Sequence, residues 1–285
     1  MNERKRMHTV ALKAARSAGA YLLKRFERED MVIRENLTHD VKIDVDGKTE
    51  TLIMNIIRRR FPGHGFLCEE SGSTRGGAGH ARSGGYTWVI DPLDGTVNFA
   101  KGIPHFCTSI AVKKGETLVA GAVYDPVRRE LFSALRPEGA GEGFATAGRA
   151  SSGGGRTPGG AYLNGRRMKT REASSLEDAV VAGGFFKAGS MDVGMSIFSR
   201  LSKKVLKGRF FGSAALDLCY LACGRVNAYI QHSVNEWDIA AALLIAELMG
   251  KRWEIKRNED SGTLDVIAAD PVIFDELKAI IEASP

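Results

Sequence analysis

Apolar residues return every three or four positions near the start of the chain, at Val10, Ala14, Ala18, Tyr21, Leu22 and Phe26. That spacing predicts an amphipathic helix from about Thr9 to Glu27. A second helix is expected from Lys48 to Phe61, with Leu52, Ile53, Ile56 and Ile57 on one side and Pro62-Gly63 as its stop. GFLCEES then reads as a short strand running into acids, and TWVI as another. Apolar runs at about 107–113, 117–124 and 130–134, separated by KKGE and DPVRR turns, predict an antiparallel meander. Further on the pattern alternates. VVAGGFF is a strand, MSIFSRLSKKVL a helix, SAALDLCYLACG a helix closed by Gly224, and RVNAYIQ a strand. EWDIAAALLIAELMG is a helix stopped by Gly250, RWEI and DVIAA are strands, and PVIFDELKAIIEA is a last helix begun by Asp270-Pro271. The expected class is layered, α+β / α/β: residues 1–145 form an α+β half and residues 146–285 an α/β half. Two Gly-rich stretches interrupt the pattern. Residues 71–85 predict a mobile surface loop, and residues 141–161 a linker or hairpin excursion whose Gly-x-Gly lacks the strand-loop-helix context of a nucleotide site.

Composition narrows the function classes. With 285 residues and 44% hydrophobic content, the chain is long and apolar enough to bury a large core, so wholesale disorder is not expected. Its net charge of +6 is spread over 40 basic and 34 acidic residues rather than gathered in a tract. The densest basic clusters, residues 58–61 and 203–210, lack the interleaved aromatics of a nucleic-acid reader, so nucleic acid is not the expected partner. Cys68, Cys107, Cys219 and Cys223 do not make a secreted disulfide framework in a chain of this length. Cys219 and Cys223, four apart on a helix with no histidine nearby in sequence, read as small buried hydrophobes rather than half a metal site. The basic start lacks an uninterrupted apolar segment, and no stretch reaches the length of a membrane span; a cytoplasmic, soluble protein is expected.

The chemistry lies where apolar runs end in acids: Glu69 and Glu70, Asp91 and Asp94, Glu236 and Asp238. Like charges placed close together repel unless a cation lies between them. Oxygen ligands suit a hard divalent ion such as Mg²⁺, and two such ions clamp the attacking and leaving oxygens of a phosphoryl displacement. The residues between the acids fit a small phosphorylated substrate. Pro92 stiffens the turn, Gly95 lets the backbone approach a ligand, and Thr96 brings a hydroxyl for whose proton Asp46, just ahead of the second helix, is a candidate acceptor.

EES, DPLDGTVNF and WDIAAA, in that order, make the chain similar to the inositol monophosphatase family of Mg²⁺-dependent, lithium-sensitive phosphatases. That group also holds fructose-1,6-bisphosphatases and 3′-phosphoadenosine nucleotidases. The resemblance runs from about Thr9 to the end. It implies a five-layered αβαβα sandwich, a homodimer and two to three Mg²⁺ ions per site. Glu69, Asp91 and the Leu93 carbonyl would hold the first ion, Asp91, Asp94 and Asp238 the second, with Glu69 also touching a third. Thr96, paired with Asp46, would activate a water, and the Gly95 and Thr96 amides would hold the phosphate. Gly212, Ser213 and Ala214 match the family's substrate-lining segment, and Asp94, Asp238 and Gln231 would complete the pocket. Two departures stand out. Lys42 replaces a threonine frequent in relatives, while Asp46 is kept. Gln231 replaces the glutamate that holds a ring hydroxyl in animal inositol phosphatases. A lysine of some relatives falls near Arg34 or Glu35 and is not assigned to a residue here.

Other residues carry blander expectations. Glu70 and Glu236 are equally compatible with an outer role at the site and with plain exposure, and Asp40 and Asp44 read as surface acids or helix caps. The mechanism needs no histidine, so His64, His105 and His232 are not assigned to it; His105 is expected to be a structural hydrogen-bonder. Trp237 is expected to pack in the core beside Asp238, and Arg156, Arg166 and Arg167 are solvated or meet a second phosphate. The function expected is Mg²⁺-dependent hydrolysis of a small polyol or sugar phosphate by metal-activated water, inositol monophosphate first. Fructose-1,6-bisphosphate, 3′-phosphoadenosine 5′-phosphate and histidinol phosphate are the alternatives within the family. An RNA or transcription-complex binding protein is the alternative from another class.

Overall fold

The structure is a computed structural model describing residues 2–27, 33–37, 40–74, 85–138, 160–184 and 191–283. It opens with α1 (Glu3–Phe26), a hairpin of β1 (Ile33–Leu37) and β2 (Asp40–Ile43), and α2 (Asp44–Arg58). There follow β3 (Gly65–Cys68), β4 (Gly72–Thr74), β5 (Tyr86–Asp94), the short helix α3 (Thr96–Ala100), and a meander of β6 (Cys107–Lys114), β7 (Thr117–Asp125) and β8 (Glu130–Leu135). Beyond it come β9 (Gly160–Leu163), β10 (Arg166–Arg167), β11 (Val180–Gly184), α4 (Met191–Ser202), β12 (Lys207–Arg209) and α5 (Ala214–Ala222). The chain continues through β13 (Ala228–Val234), α6 (Glu236–Leu248), β14 (Arg252–Arg257), β15 (Leu264–Ala269) and α7 (Phe274–Glu282).

Among the described residues, besides the two-stranded β1-β2 hairpin, two larger sheets and three helical layers result. The larger sheet has the order β10-β9-β8-β7-β6-β5-β3-β4, and the smaller has the order β12-β11-β13-β15-β14. On one face of the larger sheet, α1 and α2 bury Met7, Ala11, Ala14, Ile53 and Ile57 against Trp88, Ile90 and Ile110. Between the sheets, α5 and α6 are apolar around most of their circumference, and Leu216, Leu243 and Leu244 pack with Val89 and Val123 and with Tyr229 and Val266. Beyond the smaller sheet, Ile197 of α4 and Leu277 of α7 meet Val181, Ile230 and Ala269. The layers therefore run αβαβα. Each fully buried leucine contributes roughly 1.5–3 kcal/mol, and α6 needs both sheets because no face of it tolerates water. The close approach of α6 to β7 also depends on Gly121, where a Cβ would stand 2.9 Å from the Ala241 carbonyl oxygen.

β5 explains why its sequence reads as a continuous apolar run. Trp88 and Ile90 face the α1/α2 layer while Val89 faces the α5/α6 layer, so both faces are buried. The meander appears as expected, in antiparallel pairs β6/β7 and β7/β8. Several boundaries move. The first helix begins at Glu3 rather than near Thr9, because the Asn2 side chain accepts from the Lys5 amide and caps it. The second begins at Asp44, so Asp44 and Asp46 lie in its first turn rather than ahead of it, where acids favour the helix dipole. The last begins at Phe274, three residues beyond Pro271. Periodicity missed the β1/β2 hairpin, and residues 72–74 of the expected loop pair with β3 as an edge strand. Residues 75–84 and 139–159, which hold most of the two Gly-rich stretches together with Arg156, lie outside the described residues. β9 and β10, beyond the expected division at 145/146, join the larger sheet.

Candidate active site

β3 and β5 run parallel and pair Cys68 with Ile90, so the residues that follow each strand emerge side by side. The Glu69 amide donates to the Ile90 carbonyl at 3.2 Å, which fixes Glu69 beside Asp91. The loop after Glu69 is held by Glu50 of α2, whose carboxylate accepts from the Glu70 and Ser71 amides at 2.9 and 3.1 Å. Beyond Asp91 the chain turns sharply. The Leu93 amide donates to Asp91 Oδ1 at 2.9 Å, and the Leu93 side chain is buried with Leu22, Phe99 and Phe106. Gly95 takes φ 93°, and a Cβ there would stand 2.9 Å from the His105 carbonyl oxygen, so only glycine fits the turn. The Thr96 hydroxyl donates to the Leu93 carbonyl at 3.0 Å.

The second sheet and its helices close the site. Asp94 ties β5 to the start of α5: Oδ2 accepts from Ser213 Oγ at 2.5 Å and the Ala215 amide at 2.8 Å, and Oδ1 from the Ala214 amide at 3.2 Å. Asp238, in the first turn of α6, accepts from the Asn235 amide at 2.8 Å in a reciprocal cap. Asn98 joins two loops by donating to the His105 and Phe211 carbonyls at 2.9 and 2.7 Å. The result is a cavity of about 340 Å³. Its walls include Glu69, Asp91, Leu93, Asp94, Gly95 and Thr96 from the first sheet, and Gly212, Ser213, Ala214, Gln231 and Asp238 from the second half of the chain. Of the residues expected at the site, only Asp46 does not line it. Asp46 is buried in the first turn of α2, and its charge still reaches Glu69.

Electrostatics set this cavity apart. Burial, then the charges of Glu69, Asp94 and Asp238, push the Asp91 carboxyl well above the usual carboxylate range. Glu69, open to the cavity yet ringed by protein, is raised well above it by burial and then by Asp238, and it shares a hydrogen bond with Asp91. Burial also raises Asp94, against the lowering effect of its bonds from Ser213, Ala215 and Ala214. Acids so placed bind positive charge, whether protons or a cation. The donor set is oxygen throughout, which suits Mg²⁺, an ion that keeps several waters and substrate oxygens in its shell. Among the described residues no three of these side chains are drawn into a finished ligand cage. The acids face a common space; Asp94 Oδ2 accepts from Ser213, Ala215 and the Cys107 thiol, while Oδ1 accepts only from the Ala214 amide and is the oxygen better placed to meet a cation.

The remaining expectations divide. Glu236 pairs with Lys113 at 2.6 Å and Glu70 is exposed, so neither lines the cavity. His64 accepts from Trp88 Nε1 at 3.0 Å within an aromatic cluster, and His232 stands 3.3 Å from Asp265. Trp237 is half-buried against the central core. Cys219 is buried and Cys223 half-buried, both as free thiols. Arg166 and Arg167 lie on the exposed strand β10. Lys42, Arg34 and Glu35 fall where only the backbone is described. Sequence reasoning left out Glu50, Asn98, Asp217 and Tyr229. Asp217 had left a trace, as a lone acid in the otherwise apolar SAALDLCYLA; Asn98 stood unassigned inside the quoted motif.

Comparison with known proteins agrees with this geometry. A family model described as the inositol monophosphatase family matches residues 3–282. The chain is 39% identical over 248 residues to the Nus factor SuhB of Pasteurella multocida, covering 86% of this chain and 83% of that protein. The crystal structure of the extragenic suppressor protein suhB from Bartonella henselae is 29% identical, with a TM-score of 0.83 over 97% of this chain and 98% of that one. The inositol monophosphatase of Anabaena (Nostoc) sp. PCC 7120 is 28% identical, with a TM-score of 0.75 over 100% and 98%. No described helix is long and apolar enough to cross a membrane.

Proposed function

The chain belongs to the inositol monophosphatase family, and from that premise we propose that it is a Mg²⁺-dependent phosphomonoesterase acting on a small phosphorylated alcohol. The observation that carries the reading is the meeting of Glu69, Asp91, Asp94 and Asp238, drawn from the ends of β3 and β5 and from the first turn of α6, around one cavity beside the Gly95-Thr96 turn. In this reading Glu69, Asp91 and the Leu93 carbonyl would hold one ion, Asp91, Asp94 and Asp238 would hold a second, and Glu69 would also touch a third. The ions, when bound, supply an activated water and stabilise the leaving oxygen. The chain supplies placement. The Gly95 and Thr96 amides would hold the phosphate, and Thr96 would accept from the attacking water and pass its own proton to Asp46 once its hydroxyl, which here donates to the Leu93 carbonyl, turns away from it. The Leu93 carbonyl is also the acceptor of the Thr96 hydroxyl, so ligation at Leu93 and the direction of that proton are coupled. Gly212, Ser213, Ala214 and Gln231, with Asp94 and Asp238, receive the alcohol.

Phosphate release tests the reading. The panel is inositol 1-phosphate, fructose-1,6-bisphosphate, 3′-phosphoadenosine 5′-phosphate, histidinol phosphate and glycerol 2-phosphate, each with Mg²⁺ and with chelator. Mg²⁺-dependent release from one or two members is expected; silence across the panel rejects it.

A second reading has support of its own. Relatives in Pasteurella multocida and Escherichia coli carry the name Nus factor SuhB at 39% and 38% identity, which favours a partner in RNA or a transcription complex. Lys203, Lys204, Lys207 and Arg209 are exposed around the exposed Leu206, a surface suited to such a partner. Salt-dependent retention on RNA that persists in Asp91→Asn supports this reading; retention lost with the site, or never seen, rejects it.

A further inference from the structure

A second cavity opens at the other end of the larger sheet, where the first turn of α1 meets the end of β8 and the strands β9 and β10. At about 460 Å³ it is larger than the acid-lined cavity and falls within the range of small-molecule sites, roughly 300–1,000 Å³. Among the described residues the two cavities share no lining member, and β7 and β6 stand between β8 and β5. The sign of the charge is reversed. Arg4, Lys5, Arg136 and Arg167 line this cavity, with Glu138 the one acid of the lining.

Arg136 gives the cavity a fixed wall. It is 2% exposed; Nε donates to the Leu118 carbonyl at 2.7 Å, and Nη1 and Nη2 each donate to Glu247 at 2.8 Å. A guanidinium has five N–H donors, so two remain on a group that packing holds in place. Arg4 is tied down by one bond, from Nη1 to the Pro137 carbonyl at 3.0 Å, which leaves the rest of its fork for a ligand. Glu138 accepts from Asn2 Nδ2 at 2.9 Å, a neutral partner. With Arg136 answered by Glu247, Arg4 and Lys5 alone outweigh Glu138, before Arg167 is counted. The cavity also has an aromatic side. Tyr162 lies over Gly160, where a Cβ would stand 2.1 Å from the hydroxyl oxygen and 2.3 Å from the nearest ring carbons, so glycine is what admits the ring to the wall.

We propose that this cavity is a second binding site, and that it takes a nucleoside diphosphate. Guanidinium forks meet phosphate oxygens two at a time, and two arginines with a lysine supply donors for more than one phosphoryl group. Tyr162, Leu135 and Pro137 give the aromatic and apolar surface on which a base stacks. Glu138 has lone pairs left to accept from sugar hydroxyls. Inorganic phosphate would leave most of the volume to water, and an uncharged ligand would leave the cations without counter-charge.

The proposal stands apart from any hydrolysis at the acid-lined cavity, and its test needs none. ADP, pyrophosphate and adenosine are titrated by calorimetry into the full chain in EDTA, where no divalent ion holds phosphate beside the acids. ADP is expected to bind at a single site per chain, with pyrophosphate and adenosine each weaker by about tenfold or more. Arg4→Gln/Lys5→Gln, at a half-buried and an exposed position, is expected to weaken ADP by about tenfold or more while the melting temperature stays as in wild type. Gly160→Ala, which drives Tyr162 from the wall, is expected to weaken ADP several-fold and pyrophosphate not at all. No binding of ADP at millimolar concentration, or ADP binding that both variants leave intact, overturns the proposal. Pyrophosphate bound as tightly as ADP overturns the nucleoside part of it and leaves an anion site.

Discussion

The two regions that meet at the cavity are satisfied in different ways. On the side of the larger sheet, Glu69 and Asp91 emerge together from parallel strands, and burial and mutual repulsion drive both toward protonation. On the side of the smaller sheet, Tyr229 and Gln231 complete one another without a charge, and Asp238 is absorbed into the cap of α6. The first region gathers like charges that a bound cation would relieve; the second adds the charge of Asp238 to them but is otherwise shaped by neutral contacts. Chemistry is thus expected to depend on the first region and selection on the second, and each is open to a separate test.

The largest effect is expected from Asp91→Asn. Loss of a carboxylate that would serve both ions should lower kcat/KM by more than about a thousandfold, on the order of 4 kcal/mol in the barrier. The same change should stabilise the metal-free fold at neutral pH. A carboxyl whose folded pKa is raised carries a penalty that is fully present above that folded value and fades as pH falls toward the unfolded value near 4. Thermal unfolding in chelator should therefore show wild type losing stability as pH rises from about 4, and Asp91→Asn losing less. Turnover within several-fold of wild type, or no gain in metal-free stability, would break the contrast between the regions.

His105 provides the opposite pH dependence and sharpens the same comparison. Burial, with Arg128 nearby, lowers its pKa to about 4. Its Nε2 lies 3.9 Å from Asp217 Oδ1, but His105 is held neutral and Asp217 is raised, so the contact is not an ion pair. With the folded pKa below the unfolded value near 6.5, the unfolded chain binds the extra proton first. Stability from this group is present above pH 6.5 and is lost as pH falls through 4, by about 3 kcal/mol. Denaturant unfolding of His105→Gln should show an acid limb shallower by about that amount; equal limbs in the two proteins would remove His105 from the account.

The same contrast decides what could be seen in the sequence. The strained region was legible because its residues are contiguous: apolar runs ending in acids, with Gly95 at a turn that only glycine fits, announce themselves along the chain. The central helices and the meander were legible for a similar reason, since periodicity is local. The shaped region was not. That Tyr229 fixes Gln231, that Glu50 of α2 holds the loop after Glu69, and that Asn98 reaches the Phe211 carbonyl are facts of tertiary placement with no local spacing. The β1/β2 hairpin was missed because IRENL and DVKI are too short and too polar to show an apolar alternation.

The join between the regions gives the smallest effect and the most discriminating one. Ser213 caps α5 by accepting from the Leu216 amide at 3.4 Å, and its hydroxyl donates to Asp94 Oδ2 at 2.5 Å. Ser213→Ala removes the cap and one of the bonds that hold the Asp94 charge, and should cost about 1–2 kcal/mol of stability. Its consequence for function follows from the direction of the Asp94 shift. The Ser213 bond opposes the rise that burial imposes, so without it Asp94 holds its proton more tightly and yields it to a cation less readily. The Mg²⁺ concentration for half-maximal phosphate release should rise several-fold, and more at pH 6 than at pH 8, and by a larger factor than any change in the ratio between substrates, since Ser213 also lines the pocket that receives the alcohol. If the Mg²⁺ requirement is unchanged and the substrate ratio moves instead, then Ser213 belongs to the recognising wall and the boundary between the two regions has been drawn in the wrong place.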